Sequence, residues 1–333
     1  MTILSNEKPI VLVCAADDNY SMPIASATRS VIANFQSEHN LVLYIIDGGI
    51  SKLNKQRIIK NLKSEEVSIN WLKPRKQGFQ NLQISSTITI AAYYRLLIPQ
   101  LLPKQFNKAI YIDSDVIVQG NIERLWNIDI GEYYLLAAQD MGAPYVSSSR
   151  GLINYQELGI PPESKYFNSG VLVMNLKKWR EDKIFEKLIE YLAINKQYVR
   201  WHDQDALNAI LAGKWGELEP GWNQMPYLFQ YSSWQDSPFT EDVFNQLINN
   251  PDIIHFSTKD KPWHNNCNHP DKDVFFQYLD NSIWSNWNLE QAEKKERQRR
   301  MAFLHNIYYM VKQRIKSLIK DNKKLNLSFN RKK

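Results

Sequence analysis

The feature that most constrains this chain is a series of short, largely apolar runs, several of them stopped by acidic residues, separated by stretches of helical periodicity. The run from Lys8 to Ala16 ends in Asp17-Asp18, Leu41–Ile46 is stopped by Asp47-Gly48-Gly49, and Val67–Leu72 forms a third. Between them, residues 24–35 carry apolar side chains at helical spacing and residues 51–62 read as a helix with a polar face. A strand apolar at every position is buried on both faces, and parallel neighbours need a crossover helix. The alternation therefore predicts α/β architecture: a mostly parallel, Rossmann-like central sheet with helices on both faces. Downstream the pattern predicts a helix over 90–102, ended by Pro103, and a mid-sheet strand over 108–112 that delivers Asp113-Ser114-Asp115. Residues 116–118 continue as an extended run. Further strands are expected at 133–138, 170–176 and 253–256, and helices at 184–193, 204–211 and 271–279.

Glycine numbers only 12 in 333 residues, and no two stand as Gly-x-Gly. This excludes the dinucleotide fingerprint, the Walker A loop and the kinase glycine loop, so a bound phosphate would need a metal or cationic side chains. No apolar run approaches the length of a membrane span, and the one at 10–16 lacks the flanks of a secretory signal. With only Cys14 and Cys267, a disulfide scaffold is ruled out, and the expected compartment is the reducing cytoplasm.

The net charge of +6 hides a division. Residues 294–333 hold 14 Lys/Arg against Glu296 and Asp321, whereas the remaining 293 residues hold 27 basic and 33 acidic groups. Two regions follow: a body over 1–289 and a basic amphipathic tail over 290–333. On a helical projection Met301, Leu304, Ile307, Tyr308, Val311, Ile315, Leu318 and Ile319 share one face, flanked by Lys312 and Arg314. An apolar stripe edged by cations suits an anionic membrane surface, here the inner face, with the protein peripheral. Docking on the protein's own core is the alternative. Nucleic acid is not expected, because the tail lacks interleaved stacking aromatics and the body is acidic.

Eighteen aspartates predict about one Asp-x-Asp by chance, and three occur, at 113/115, 203/205 and 271/273. Context separates them. Two carboxylates side by side at the end of a mid-sheet strand repel unless a cation joins them, and the oxygen pair suits Mg²⁺ or Mn²⁺. A histidine ligand favours Mn²⁺. The alternative is a solvated turn. His255 closes the last apolar run and reads as either a ligand or a satisfied buried histidine; Lys261 is placed to neutralise a phosphate. Asp203 reads as a helix N-cap and Asn168-Ser169-Gly170 as a turn.

Six stretches then stand in order: Ala15-Ala16-Asp17-Asp18-Asn19-Tyr20, Tyr93-Tyr94-Arg95-Leu96, Tyr111-Ile112-Asp113-Ser114-Asp115-Val116, Tyr166 through Trp179, Asp203-Gln204-Asp205-Ala206-Leu207-Asn208, and His255-Phe256 with Lys261-Pro262-Trp263-His264. In this order they resemble the family 8 glycosyltransferases, retaining enzymes that use nucleotide-sugar donors and include bacterial lipopolysaccharide α-galactosyltransferases and glycogenin. The resemblance implies a GT-A type fold and a transfer from a UDP-hexose, galactose before glucose, to a glycan or glycolipid with an α-linkage. It implies Mn²⁺, with Mg²⁺ as substitute, on Asp113, Asp115 and His255. Ala15, Asp17, Asp18, Asn19 and Tyr20 would hold uracil and ribose. Ser114, Thr258 and Lys261 would lie by the nucleotide diphosphate. Arg95, Asp113, Asp140, Asn168, Asp203 and Gln204 would surround the donor sugar. Two positions depart from related galactosyltransferases: Thr87 stands for a histidine and Thr258 for a glycine, both near the diphosphate or acceptor. Retention is expected by front-face attack, with Gln204 stabilising positive charge, rather than through a sugar bound to Asp140 or Asp203. Readings from other classes are a silent nucleotide-sugar or glycan binder tethered to a membrane, and a metal-dependent nucleotidyltransferase.

Overall fold

The structure, a computed structural model, describes residues 9–74 apart from 64–66 and 68, residues 90–264 and 266–294, and positions 296, 297, 300, 301, 309 and 312. The chain divides into two compact units, Met1–Ile283 and Trp284–Lys333. The strands of the first unit are β1 (Ile10–Ala16), β2 (Leu41–Asp47), β3 (Ile69–Leu72), β4 (Lys108–Ile112), β5 (Val116–Val118), β6 (Leu135–Gln139), β7 (Phe167–Asn175), β8 (Trp215–Glu217) and β9 (Ile253–His255). Seven form one sheet in the order β3-β2-β1-β4-β7-β6-β8. β1, β2, β3 and β4 run parallel, as do β6 and β8, while β7 is antiparallel to both its neighbours.

Both faces are covered, as the unbroken apolar runs require. Val11, Val13 and Ala15 of β1 pack in one cluster with Tyr93, Leu96, Leu188 and Leu207. The alternate residues Ile10, Leu12 and Cys14 are equally buried on the opposite face. Helices Ser21–Ala33 and Lys52–Leu62 supply the first two crossovers; Ser51 caps the second by accepting from Asn54 N–H.

Three local differences from the sequence pattern shape the site. Residues 90–97 form a 3-10 helix that becomes α-helical only over Ile98–Leu101. Asn168-Ser169-Gly170 is not a turn but the first part of β7, whose reversed direction lays those residues beside the carboxyl end of β4. The apolar run ending at His255 leaves the main sheet altogether: β9 pairs antiparallel with β5, with Val116 opposite His255.

In the second unit the described residues at 287–294, 296–297, 300–301, 309 and 312 are helical. Leu289, Met301 and Tyr309 are exposed. Most of the apolar stripe, with Leu304, Ile307, Tyr308, Val311, Arg314, Ile315, Leu318 and Ile319, lies outside the described residues, as does Thr87.

Candidate active site

β1, β2 and β4 point their carboxyl ends to one edge, and in the strand order the chain from β1 leads next to β2 on one flank while that from β4 leads, through β5, to β6 on the other. Such a switch point opens a crevice. After β1, Asp17 accepts the N–H groups of Asn19 and Tyr20 at 2.9 and 3.3 Å, folding residues 18–20 into a short 3-10 turn. Asp18 reaches across to the next crossover, accepting from Ser51 N–H and Asn54 Nδ2. Trp263 packs edge-on against Tyr20, its centroid 5.8 Å away, and so buttresses this loop. The Ser114 hydroxyl donates to the Ala15 carbonyl at 2.6 Å, tying the acidic loop after β4 to the end of β1.

Asp113, Asp115 and His255 converge: one ligand atom from each lies within 4.8 Å of the others. His255 Nε2 stands 3.8 Å from Asp113 Oδ2 and 3.5 Å from Asp115 Oδ1. Strand pairing creates this closeness across 140 residues of sequence, since β9 brings His255 opposite Val116 and Phe256 N–H donates to the Asp115 carbonyl. The donors, two carboxylates and one imidazole nitrogen, fit a hard or borderline divalent cation such as Mg²⁺ or Mn²⁺. Lys261 Nζ donates to Asp115 Oδ2 and to the Phe256 carbonyl, and is itself nearly buried. Burial alone would raise the Asp115 pKa, but the neighbouring charges, that of Lys261 foremost, outweigh it and hold the carboxyl well below the usual range. Thr258 accepts from Asp260 N–H in the loop between His255 and Lys261.

Arg95 is the second organising cation. Its guanidinium contacts Asp113 Oδ1 at 2.8 Å and Asp203 Oδ2 at 3.0 Å, donates to the Ser169 carbonyl and hydroxyl, and stacks 4.8 Å above the Tyr111 ring. Burial opposes its charge, but Asp113 and Asp203 more than compensate and raise its pKa. Tyr111 completes the hold on Asp113 by donating its hydroxyl at 2.6 Å. Asp203 is the first residue of helix Asp203–Ile210 rather than its cap; its side chain turns to Arg95 and receives the Ser169 hydroxyl.

Asp140, at the end of β6, accepts four N–H donors: the backbone of Gly142 and Ala143 on Oδ1, Asn168 Nδ2 and Gln204 Nε2 on Oδ2. Gln204 Oε1 accepts from Ser169 N–H at 3.0 Å. The structure thus gathers Arg95, Asp113, Asp140, Asn168, Asp203 and Gln204 into one network carried by the 3-10 helix over 90–97, the ends of β4 and β6, β7, and helix Asp203–Ile210. Ser169, Tyr111 and Asn223 also belong to it; the first two lie within stretches that resemble the family, whereas the place of Asn223 in the sequence carries no signal of this. Asn223 lies 32 residues before His255 in an unpatterned segment, yet it is fully buried and bonded to both Asn168 and His255.

Residues 11–267 match the family model described as Glycosyl transferase family 8. General stress protein A of Bacillus subtilis (strain 168) is 34% identical over 277 residues, which cover 82% of this chain and 94% of that protein. The lipopolysaccharide 1,2-glucosyltransferase of Escherichia coli (strain K12) is 27% identical over 270 residues, 80% of this chain and 77% of that one. Among solved structures, the galactosyltransferase LgtC in complex with donor and acceptor sugar analogs aligns with a TM-score of 0.69 at 28% identity, covering 81% of this chain and 95% of LgtC.

Proposed function

We propose, because this chain belongs to glycosyl transferase family 8, that it is a retaining hexosyltransferase using a UDP-hexose and delivering the sugar in α-linkage to a glycan or glycolipid. The observation that carries this reading is the convergence of Asp113, Asp115 and His255 beside Lys261 in a fold otherwise without a glycine-rich phosphate loop. Asp113, Asp115 and His255 would hold a divalent cation, Mn²⁺ or in its place Mg²⁺, which would supply positive charge to the leaving diphosphate. Lys261 adds a second charge there, and the Ala15–Tyr20 loop is assigned to uracil and ribose. UDP-galactose ranks ahead of UDP-glucose; relatives named for each sugar are among those matched.

The residues assigned to the donor sugar favour front-face attack. A covalent route needs a free nucleophile, and each candidate is engaged: Gln204 Oε1 by a backbone N–H, Asp140 by four donors, Asp203 by Arg95 and Ser169. Gln204 and Asp140 then stabilise the positive charge that develops on the sugar, and the departing phosphate takes the acceptor's proton.

The test is UDP release without acceptor, in Mn²⁺, across UDP-galactose, UDP-glucose, UDP-N-acetylglucosamine and UDP-glucuronate. One donor is expected to be hydrolysed slowly, and EDTA or Asp115→Asn should lower the rate at least about 100-fold, the loss typical of removing one charge-stabilising group. Absence of Mn²⁺-dependent UDP binding would overturn the site. A sugar trapped on Asp140 or Asp203 would overturn the front-face route.

A further inference from the structure

Asn223 has no place in the chemistry above, yet it is the residue in contact with the ring nitrogen of His255 that faces away from the two aspartates. Its orientation follows from its neighbours. Gly170 N–H donates to Asn168 Oδ1 at 2.9 Å, which identifies that end of the Asn168 carboxamide as oxygen. The other end, Nδ2, donates at 2.9 Å to Asp140 Oδ2, a carboxylate oxygen suited to accept. Asn223 Nδ2 donates to the same Asn168 Oδ1 at 3.0 Å, so Asn223 Oδ1 points the opposite way, 2.8 Å from His255 Nδ1. An amide oxygen can only accept. Nδ1 must therefore carry a hydrogen, and in the neutral ring this leaves the Nε2 lone pair directed towards Asp113 and Asp115.

The surroundings are built for this contact. Gln224 lies alongside β9, with Gln224 N–H donating to the Ile253 carbonyl and His255 N–H to the Gln224 carbonyl, which holds Asn223 level with the imidazole. Gly170 leaves room for the ring, since a Cβ there would stand 2.7 Å from His255 Nδ1 and 3.0 Å from Asn168 Oδ1. Asn223 is fully buried, so solvent is not at hand to replace the acceptor.

We infer that Asn223 is the positioning residue of the cation site: it locks His255 in the Nδ1–H tautomer, with its own orientation set through Asn168 by Asp140 and Gly170. The donor-sugar side of the site and the cation side are thus joined by one chain of hydrogen bonds. This inference rests on the reading of Asp113, Asp115 and His255 as metal ligands; outer partners of ligating histidines typically contribute 10- to 100-fold in affinity.

The experiment uses the full chain, free of metal and donor. Nitrogen-15 NMR of the histidine rings, recorded with the rings neutral, should show His255 as the Nδ1–H tautomer, and Asn223→Ala should lose that preference. In a Mn²⁺ titration followed by electron paramagnetic resonance, Asn223→Ala should bind about 10- to 100-fold more weakly with its far-UV circular dichroism unchanged. An Nε2–H tautomer in the wild-type protein overturns the inference, as does a folded Asn223→Ala with wild-type Mn²⁺ affinity. If the variant does not fold, the wild-type spectrum still decides. If the wild-type protein binds no Mn²⁺, the metal reading fails on its own, and the tautomer still tests the role of Asn223.

Discussion

At the scale of the residue, the site is organised by carboxylates that share too few cations. Asp113 and Asp203 both lean on the Arg95 guanidinium, and Asp203 is buried, with the Ser169 hydroxyl as its further side-chain donor among the described residues. Burial pushes the Asp203 carboxyl up to about 6; Arg95 opposes this and Asp113 reinforces it. A folded-state value above the ordinary 3.8 means the native protein holds this proton more tightly than the unfolded chain. The resulting stabilisation is fully present below about pH 4, fades as pH rises through 6, and is gone above it; its order is about 3 kcal/mol. Asp203→Asn removes the titration. The melting-temperature advantage of wild type over Asp203→Asn should therefore be larger at pH 4.5 than at pH 7.5. An advantage independent of pH across that range would show that Asp203 does not titrate there.

At the scale of the element, helix Asp203–Ile210 shows why a motif of six residues acts as one part. Asp205 accepts the N–H groups of Arg200 and Trp201 and the Tyr166 hydroxyl, holding the turn that enters the helix. His202 sits in that turn at φ 53°, a backbone strain of about 1–3 kcal/mol. Asn208 clamps the helix to β7, accepting from Phe167 N–H at 2.8 Å and donating to the Phe167 carbonyl at 2.9 Å. The clamp sets Gln204 and Asp203 against Ser169. Asn208→Ala leaves a buried donor and acceptor unpaired, and should lower unfolding stability by about 2–4 kcal/mol in urea melts. A loss under 1 kcal/mol would mean that packing alone holds the helix. The six positions were legible as a motif, but the division of labour among them was not, because it depends on β7 lying beside the helix.

At the scale of the molecule, the two-stranded β5-β9 sheet and the reversed β7 bring His255, Asn168 and Ser169 to the end of the parallel sheet. Without β9, His255 and Lys261 would not meet the acidic loop after β4. The second unit carries the opposite charge to the first, and its reading as a membrane-surface segment makes a salt-dependent prediction. The full chain should cosediment with vesicles rich in anionic lipid but not with neutral ones, and 0.5 M salt should release it. Replacing Lys312, Arg314, Lys316 and Lys320 with glutamine should weaken that binding by roughly 1 kcal/mol per charge, leaving donor hydrolysis unchanged. Equal binding to neutral vesicles would contradict the electrostatic reading.

The sequence alone determined the layers and the succession of elements along the chain from β1 to β4, though not which strands lie side by side, because burial on both faces demands apolar runs and parallel pairing demands crossovers. It also marked Asp113, Asp115, His255, Lys261, Asp203 and Gln204, whose residue types carry chemistry wherever they fall. Tertiary structure decided what touches what. The reversal of β7, the departure of β9 from the main sheet and the burial of Asn223 all depend on pairings between segments distant in sequence. A hydrogen bond between residues 32 or 140 positions apart leaves no periodicity in either. The orientation of a carboxamide, and with it the tautomer of His255, exists only once the donors around it are in place.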